Sequence, residues 1–99
     1  MSQTTLRVVA RVIARPEKVE QVKSILTKLV EATRQEEGCI TYELLQNHQD
    51  VTDFTFVEEW ESQALLEAHL ASAHIAQAQS QLEGAIAAEP DIRLYRLLA

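Results

Sequence analysis

The sequence predicts an α+β fold, ferredoxin-like, in the order β-α-β-β-α-β with a broken second helix and an antiparallel sheet. Three observations point there. Runs rich in Val, Ile and aromatic residues recur at 5–14, 39–46, 54–60 and 92–98. A long stretch of apolar residues at helical spacing separates the first two runs. Two serines, Ser62 and Ser72, stand where helix N-caps belong between the last two.

The first strand is expected over Thr5 to Ala14. Pro16 then suits a first helical position, with Glu17 in the first turn. Val19, Val22, Ile25, Leu26, Leu29 and Val30 follow with the period of an amphipathic helix, about twenty residues long. Gly38 is the natural stop. Glu36 and Glu37 oppose the dipole at that end, and nothing in the sequence accounts for them. Cys39 to Gln46 and Phe54 to Trp60 form a hairpin around the turn Asn47-His48-Gln49-Asp50. Ser62 caps a helix carrying Leu65, Leu66, His69 and Leu70. Ser72 caps a further helix with Ile75, Leu82 and Ile86 on one side, and Pro90 ends it. Ile92 to Leu98 is the last strand. No linker, low-complexity stretch or repeat interrupts residues 1–99, which read as one domain.

Apolar residues stand side by side in the strands: Val8-Val9, Val12-Ile13, Leu44-Leu45 and Phe56-Val57. Successive strand residues point to opposite faces, so the face without helices is expected to be apolar as well. A homodimer packed sheet to sheet is the simplest way to cover it.

Composition sets aside several classes of function. The formal net charge is −6 and the nine Lys and Arg are scattered, which disfavours nucleic acid and anionic membrane surfaces. No apolar run approaches the roughly 18 residues of a membrane span. The amino terminus lacks a charged segment followed by an apolar one, so a signal peptide is not expected. Cys39 stands alone, consistent with a reducing cytoplasm and with a small buried hydrophobe. With only two glycines the chain has no phosphate loop, and it carries neither a GxSxG elbow nor a CxxC pair.

The residues able to do chemistry cluster between Phe54 and His74. His69 and His74 are here, and histidine is the side chain whose unperturbed pKa lies near neutrality. On a continuous helix five residues separate two rings by about 140°, so no shared metal is expected, and a metal would also need Glu58 or Glu61. A break at Ser72 or Ala73 would let the rings converge on one cavity. His69 is a candidate general base, against the plainer reading of a half-buried histidine continuing the stripe of Leu65, Leu66 and Leu70. Phe54, Phe56, Glu58 and Trp60 share one strand face, as core aromatics or as the wall of a pocket. A carboxylate among them needs a partner, and Arg11 in the first strand is the candidate. Tyr42 and Tyr95 add hydroxyl donors, each with a plain structural alternative, and His48 lies in a solvated turn.

These residues resemble the antibiotic biosynthesis monooxygenase family, whose small dimeric α+β barrel proteins include quinol monooxygenases. The likeness runs from about Val8 to Leu98. It is carried by Glu59-Trp60-Glu61-Ser62, then Leu66-Glu67-Ala68-His69-Leu70 and His74, with support from Arg15-Pro16 and from Glu37-Gly38-Cys39 followed by Tyr42. The resemblance implies oxidation of a phenolic or quinol substrate by O₂ with no cofactor and no metal. His69 or His74 would remove the phenolic proton, Arg11, Tyr42 or a backbone N–H would stabilise the oxyanion, and Trp60 with the Phe side chains would hold a flat ring. Haem-degrading relatives use an Asn on the first strand and a Trp on the second helix. This chain has Arg11 and His69 there, which argues against that branch. Two alternatives stay open: an isomerase acting on a phosphorylated signalling sugar, and a ligand-binding dimer without catalysis.

Overall fold

The computed structural model describes residues 5–99; the segment inspected for a signal peptide lies largely outside them. Four strands, β1 (Leu6–Ile13), β2 (Cys39–Gln46), β3 (Asp53–Trp60) and β4 (Asp91–Tyr95), form one antiparallel sheet in the order β2-β3-β1-β4. Three helices, α1 (Val19–Thr33), α2 (Gln63–Leu70) and α3 (Ala73–Leu82), cover one face. Among the described residues no helix is long and apolar enough to cross a membrane.

Strand alternation decides which side chains meet the helices. Val8, Ala10 and Val12 of β1 and Phe54, Phe56, Glu58 and Trp60 of β3 are buried on the helix side. They pack against Val22, Leu26, Leu29 and Val30 of α1, Leu66 of α2, and Ile75, Ala78 and Leu82 of α3. Each fully buried Leu or Phe contributes about 1.5–3 kcal/mol relative to exposure.

Both serine caps form. Ser62 Oγ accepts from the Leu65 N–H at 3.2 Å, and Ser72 Oγ accepts from the Ile75 N–H at 3.4 Å. Ser72 also breaks the helical path: it is extended, at φ −73° and ψ 158°, and its hydroxyl donates to the His69 carbonyl at 2.6 Å. The expected helix from Pro16 instead opens with a 3₁₀ turn at Pro16–Lys18 and ends at Thr33, five residues before Gly38. Gly38 serves the next turn, at φ +87°, where an added Cβ would sit 2.5 Å from Leu65 Cδ1. Pro90 does not end α3. The helix stops at Leu82, and Ala14 and Ile86 form a β-bridge before β4 begins. The last strand ends at Tyr95 rather than Leu98.

The helix-free face is less apolar than adjacent residue pairs suggested. Val9, Ile13, Leu45 and Val57 do take that side, but they alternate with Arg7, Arg11, Glu43, Glu59 and Arg93. Arg7 lies 3.6 Å from Glu59, and Arg11 lies 3.2 Å from Asp53.

Candidate active site

An apolar cavity lies between the sheet and the helices. β1 supplies Val8 and Val12, β3 supplies Phe56 and Glu58, β2 supplies Tyr42, and α1, α2 and α3 close the other side. Pro90 and Ile92 stand at its β4 margin. Three polar groups of the wall can donate or take a proton: the Glu58 carboxyl, the Tyr42 hydroxyl and the His69 imidazole.

His69 is 1% exposed and firmly held. Its ring lies 4.7 Å from that of Trp60, inclined by 33°, and meets Tyr42 edge-on at 5.5 Å. Nδ1 lies 2.7 Å from Glu36 Oε2. A carboxylate only accepts, so Nδ1 carries the proton and Nε2 is the nitrogen left for a ligand. The same Glu36 oxygen accepts from His74 Nε2 at 2.5 Å. Burial lowers the His69 pKa, and the hydrogen bond to Glu36 works in the opposite sense. A neutral imidazole oriented by a carboxylate is a competent general base.

Glu36 was invisible as a functional residue in the sequence. It lies in the turn after α1, 33 and 38 positions from the histidines it joins. The break at Ser72 makes the pairing possible. Without it the two imidazoles would diverge; with it their centroids are 6.0 Å apart. The 140° separation expected from sequence therefore does not apply. The carboxylate beside them is Glu36 rather than Glu58 or Glu61. Glu36, His69 and His74 are also the group of side chains, among the described residues, that could hold a metal ion.

Glu58 is 4% exposed and accepts from Trp60 Nε1 at 2.8 Å. Burial pushes its pKa up to about 7, while the indole N–H pulls the other way. The expected pairing of Glu58 with Arg11 does not form. Arg11 projects from the opposite face of β1 onto Asp53, so within this chain it does not reach the cavity. Strand parity carried that information, since Arg11 alternates with the buried Ala10 and Val12.

The remaining predicted residues divide. Phe56 and Tyr42 line the cavity, whereas Phe54 and Trp60 are buried behind it. Trp60 thus backs His69 and holds Glu58 rather than facing a ligand. His74 lies outside the cavity with its side chain 29% exposed. Burial, then the nearby Glu58, raise the Tyr42 pKa, so the phenol stays a hydrogen-bond donor. Burial and Glu36 raise that of Cys39, which suits an inert thiol.

Comparison with known proteins agrees with this architecture. The model of the antibiotic biosynthesis monooxygenase family matches residues 5–81. A conserved protein from Methanosarcina mazei is 33% identical, with a TM-score of 0.88 over 95% of this chain and 93% of its own. A Pseudomonas aeruginosa protein is 30% identical, with a TM-score of 0.90 over 97% and 96%. A structure described as an antibiotic biosynthesis monooxygenase is also 30% identical, with a TM-score of 0.89 over 95% and 99%. An uncharacterised Synechocystis protein is 23% identical over 91% of this chain but only 61% of its own length, so this chain spans about three fifths of that relative. With most of its length matched by the family model and its fold shared end to end, the chain belongs to the antibiotic biosynthesis monooxygenase family.

Proposed function

We propose that the cavity binds a small, flat phenolic or quinol-like compound, and that His69 removes its phenolic proton so that the anion is oxidised by O₂. A phenol plus O₂ yields a quinone plus water. One oxygen atom enters the ring and the other leaves as water, carrying the phenolic proton and the hydrogen lost from the ring. The substrate supplies all the electrons, so the reaction as written needs no cofactor. The observation that carries this reading is the buried His69 in a mostly apolar wall, its Nδ1 committed to Glu36. Tyr42 is a donor available to a developing oxyanion in the same wall, which Gln79 also lines, and Trp60 positions the base.

The isomerase alternative fits less well. No Lys or Arg lines the cavity, so a sugar phosphate would meet apolar surface and the Glu58 carboxyl instead of a cation. A sheet-to-sheet homodimer belongs to the same proposal, supported by Val9, Leu45 and Val57 on the helix-free face. Light scattering at micromolar concentration tests it, and a monomer there removes it. A cytoplasmic setting is also proposed, on the single Cys39.

The decisive experiment is O₂ uptake by chelator-treated protein on a panel of hydroquinones and polyphenols, beside His69→Ala. The expected result is uptake above autoxidation that falls by ~10² or more in the variant, a typical loss for a general base. Equal uptake in a folded variant excludes His69 as the base.

A further inference from the structure

We propose that Glu36, His69 and His74 form a binding site for a first-row divalent transition ion of the zinc class. Glu36 Oε2, His69 Nδ1 and His74 Nε2 all lie within 4.8 Å of one another. Two imidazoles and one carboxylate suit Zn²⁺, Co²⁺ or Ni²⁺, and suit Ca²⁺ or Mg²⁺ poorly because those ions prefer oxygen donors.

Three separate segments present the ligands, and each is pinned locally. Glu36 is held in its turn by its N–H to the Thr33 carbonyl at 2.9 Å and by the Cys39 N–H to its own carbonyl at 3.3 Å. The His69 carbonyl accepts from both the N–H and the hydroxyl of Ser72. His74 sits in the first turn of α3 behind the Ser72 cap. Ligand bonds of about 2.0–2.2 Å place tetrahedral donors roughly 3.3 Å apart. The present separations from Glu36 Oε2 are 2.7 Å to His69 and 2.5 Å to His74. Admitting an ion therefore requires the carboxylate to retreat by less than about an ångström. The room lies on the outer side, where the Glu36 and His74 side chains are 18% and 29% exposed. The same exposure provides entry for the ion and for water to complete its coordination.

The site would also regulate, a consequence that rests on the reading of His69 as the base. A neutral imidazole ligated through Nδ1 keeps its proton on Nε2. It would then present a donor to the cavity where deprotonation needs an acceptor. Ion binding and base function exclude one another.

The test is titration of the tag-free, chelator-stripped chain with Co²⁺, without substrate, so that an absence of oxygenase activity leaves its result intact. Trp60 is the only tryptophan and stacks on His69, so Co²⁺ at Nδ1 quenches its fluorescence while visible absorption bands report the ligand set. The expected outcome is one Co²⁺ per chain, displaced by Zn²⁺ with recovery of fluorescence, and binding at least about tenfold weaker in Glu36→Gln and in His74→Ala. Both variants lie at the partly open edge, and circular dichroism confirms their folding; either one alone decides. Lack of saturable binding by the parent chain, or binding that a folded variant leaves unchanged, overturns the proposal.

Discussion

The imidazole of His69 and the indole of Trp60 lie ring against ring, centroids 4.7 Å apart, while the indole N–H reaches away to Glu58 at 2.8 Å. One aromatic side chain therefore touches two of the titratable groups of the cavity wall. Trp60→Phe keeps a ring behind His69 but leaves the Glu58 carboxyl without its donor. An unpaired buried acceptor costs about 1–3 kcal/mol, with a further loss from the volume removed. Urea unfolding should show the combined loss, and pairing with Glu58→Gln in a double-mutant cycle should show coupling. Additive effects would mean that the hydrogen bond contributes nothing.

Glu58 also makes stability depend on pH. Its folded pKa is raised to about 7 from an ordinary value of 4.5. Between those values the folded chain binds the proton more tightly, so stability falls as pH rises through that window and stays lower above it. Glu58→Gln should remove this slope and be the more stable form at pH 8 by roughly 3 kcal/mol, at about 1.36 kcal/mol per pKa unit. Unfolding curves at pH 5 and pH 8 that shift in parallel for both proteins would remove Glu58 as the cause.

Gly38 sets how closely α2 approaches the start of β2. Gly38→Ala must hold a positive φ and place its Cβ against Leu65. Destabilisation of about 2 kcal/mol or more is expected from the strain and the overlap together. A change below 0.5 kcal/mol, measured by chemical denaturation, would show that Leu65 yields freely.

Arg11→Ala should leave turnover within about twofold of the parent, since this side chain faces away from the cavity and is half exposed. Steady-state kinetics on any substrate found by oxygen uptake decides it. A loss of ~10² would instead place Arg11 in a site shared with another copy.

Most of the fold was legible because its signals are local. Alternation in β1 and β3, helical spacing from Val19 to Val30, and the two serine caps each act over a few residues. The ends were harder. α1 stops at Thr33 and α3 at Leu82, each before the glycine or proline that seemed to mark it. His69 was legible from its motif, and the convergence of His69 with His74 followed once Ser72 was allowed to break the helix. Glu36 was not legible, because its partners lie more than thirty residues away and local dipole reasoning made it only unfavourable. The pairing of Arg11 with Glu58 was argued from charge alone, while the parity of Arg11 along β1 already directed it to the other face, onto Asp53.

The margin of the cavity at Pro90 and Ile92 belongs to the least anchored part of the sheet. β4 pairs on one side only, and all five of its residues are exposed. Anything that covers that unpaired edge would stand beside the chamber's rim at Pro90 and Ile92. A neighbour docked there would slow the entry and the escape of ligand alike, so exchange would slow while equilibrium affinity and every contact inside the chamber stayed the same. Residence time would then be a property of the assembly, tuned from the rim inward.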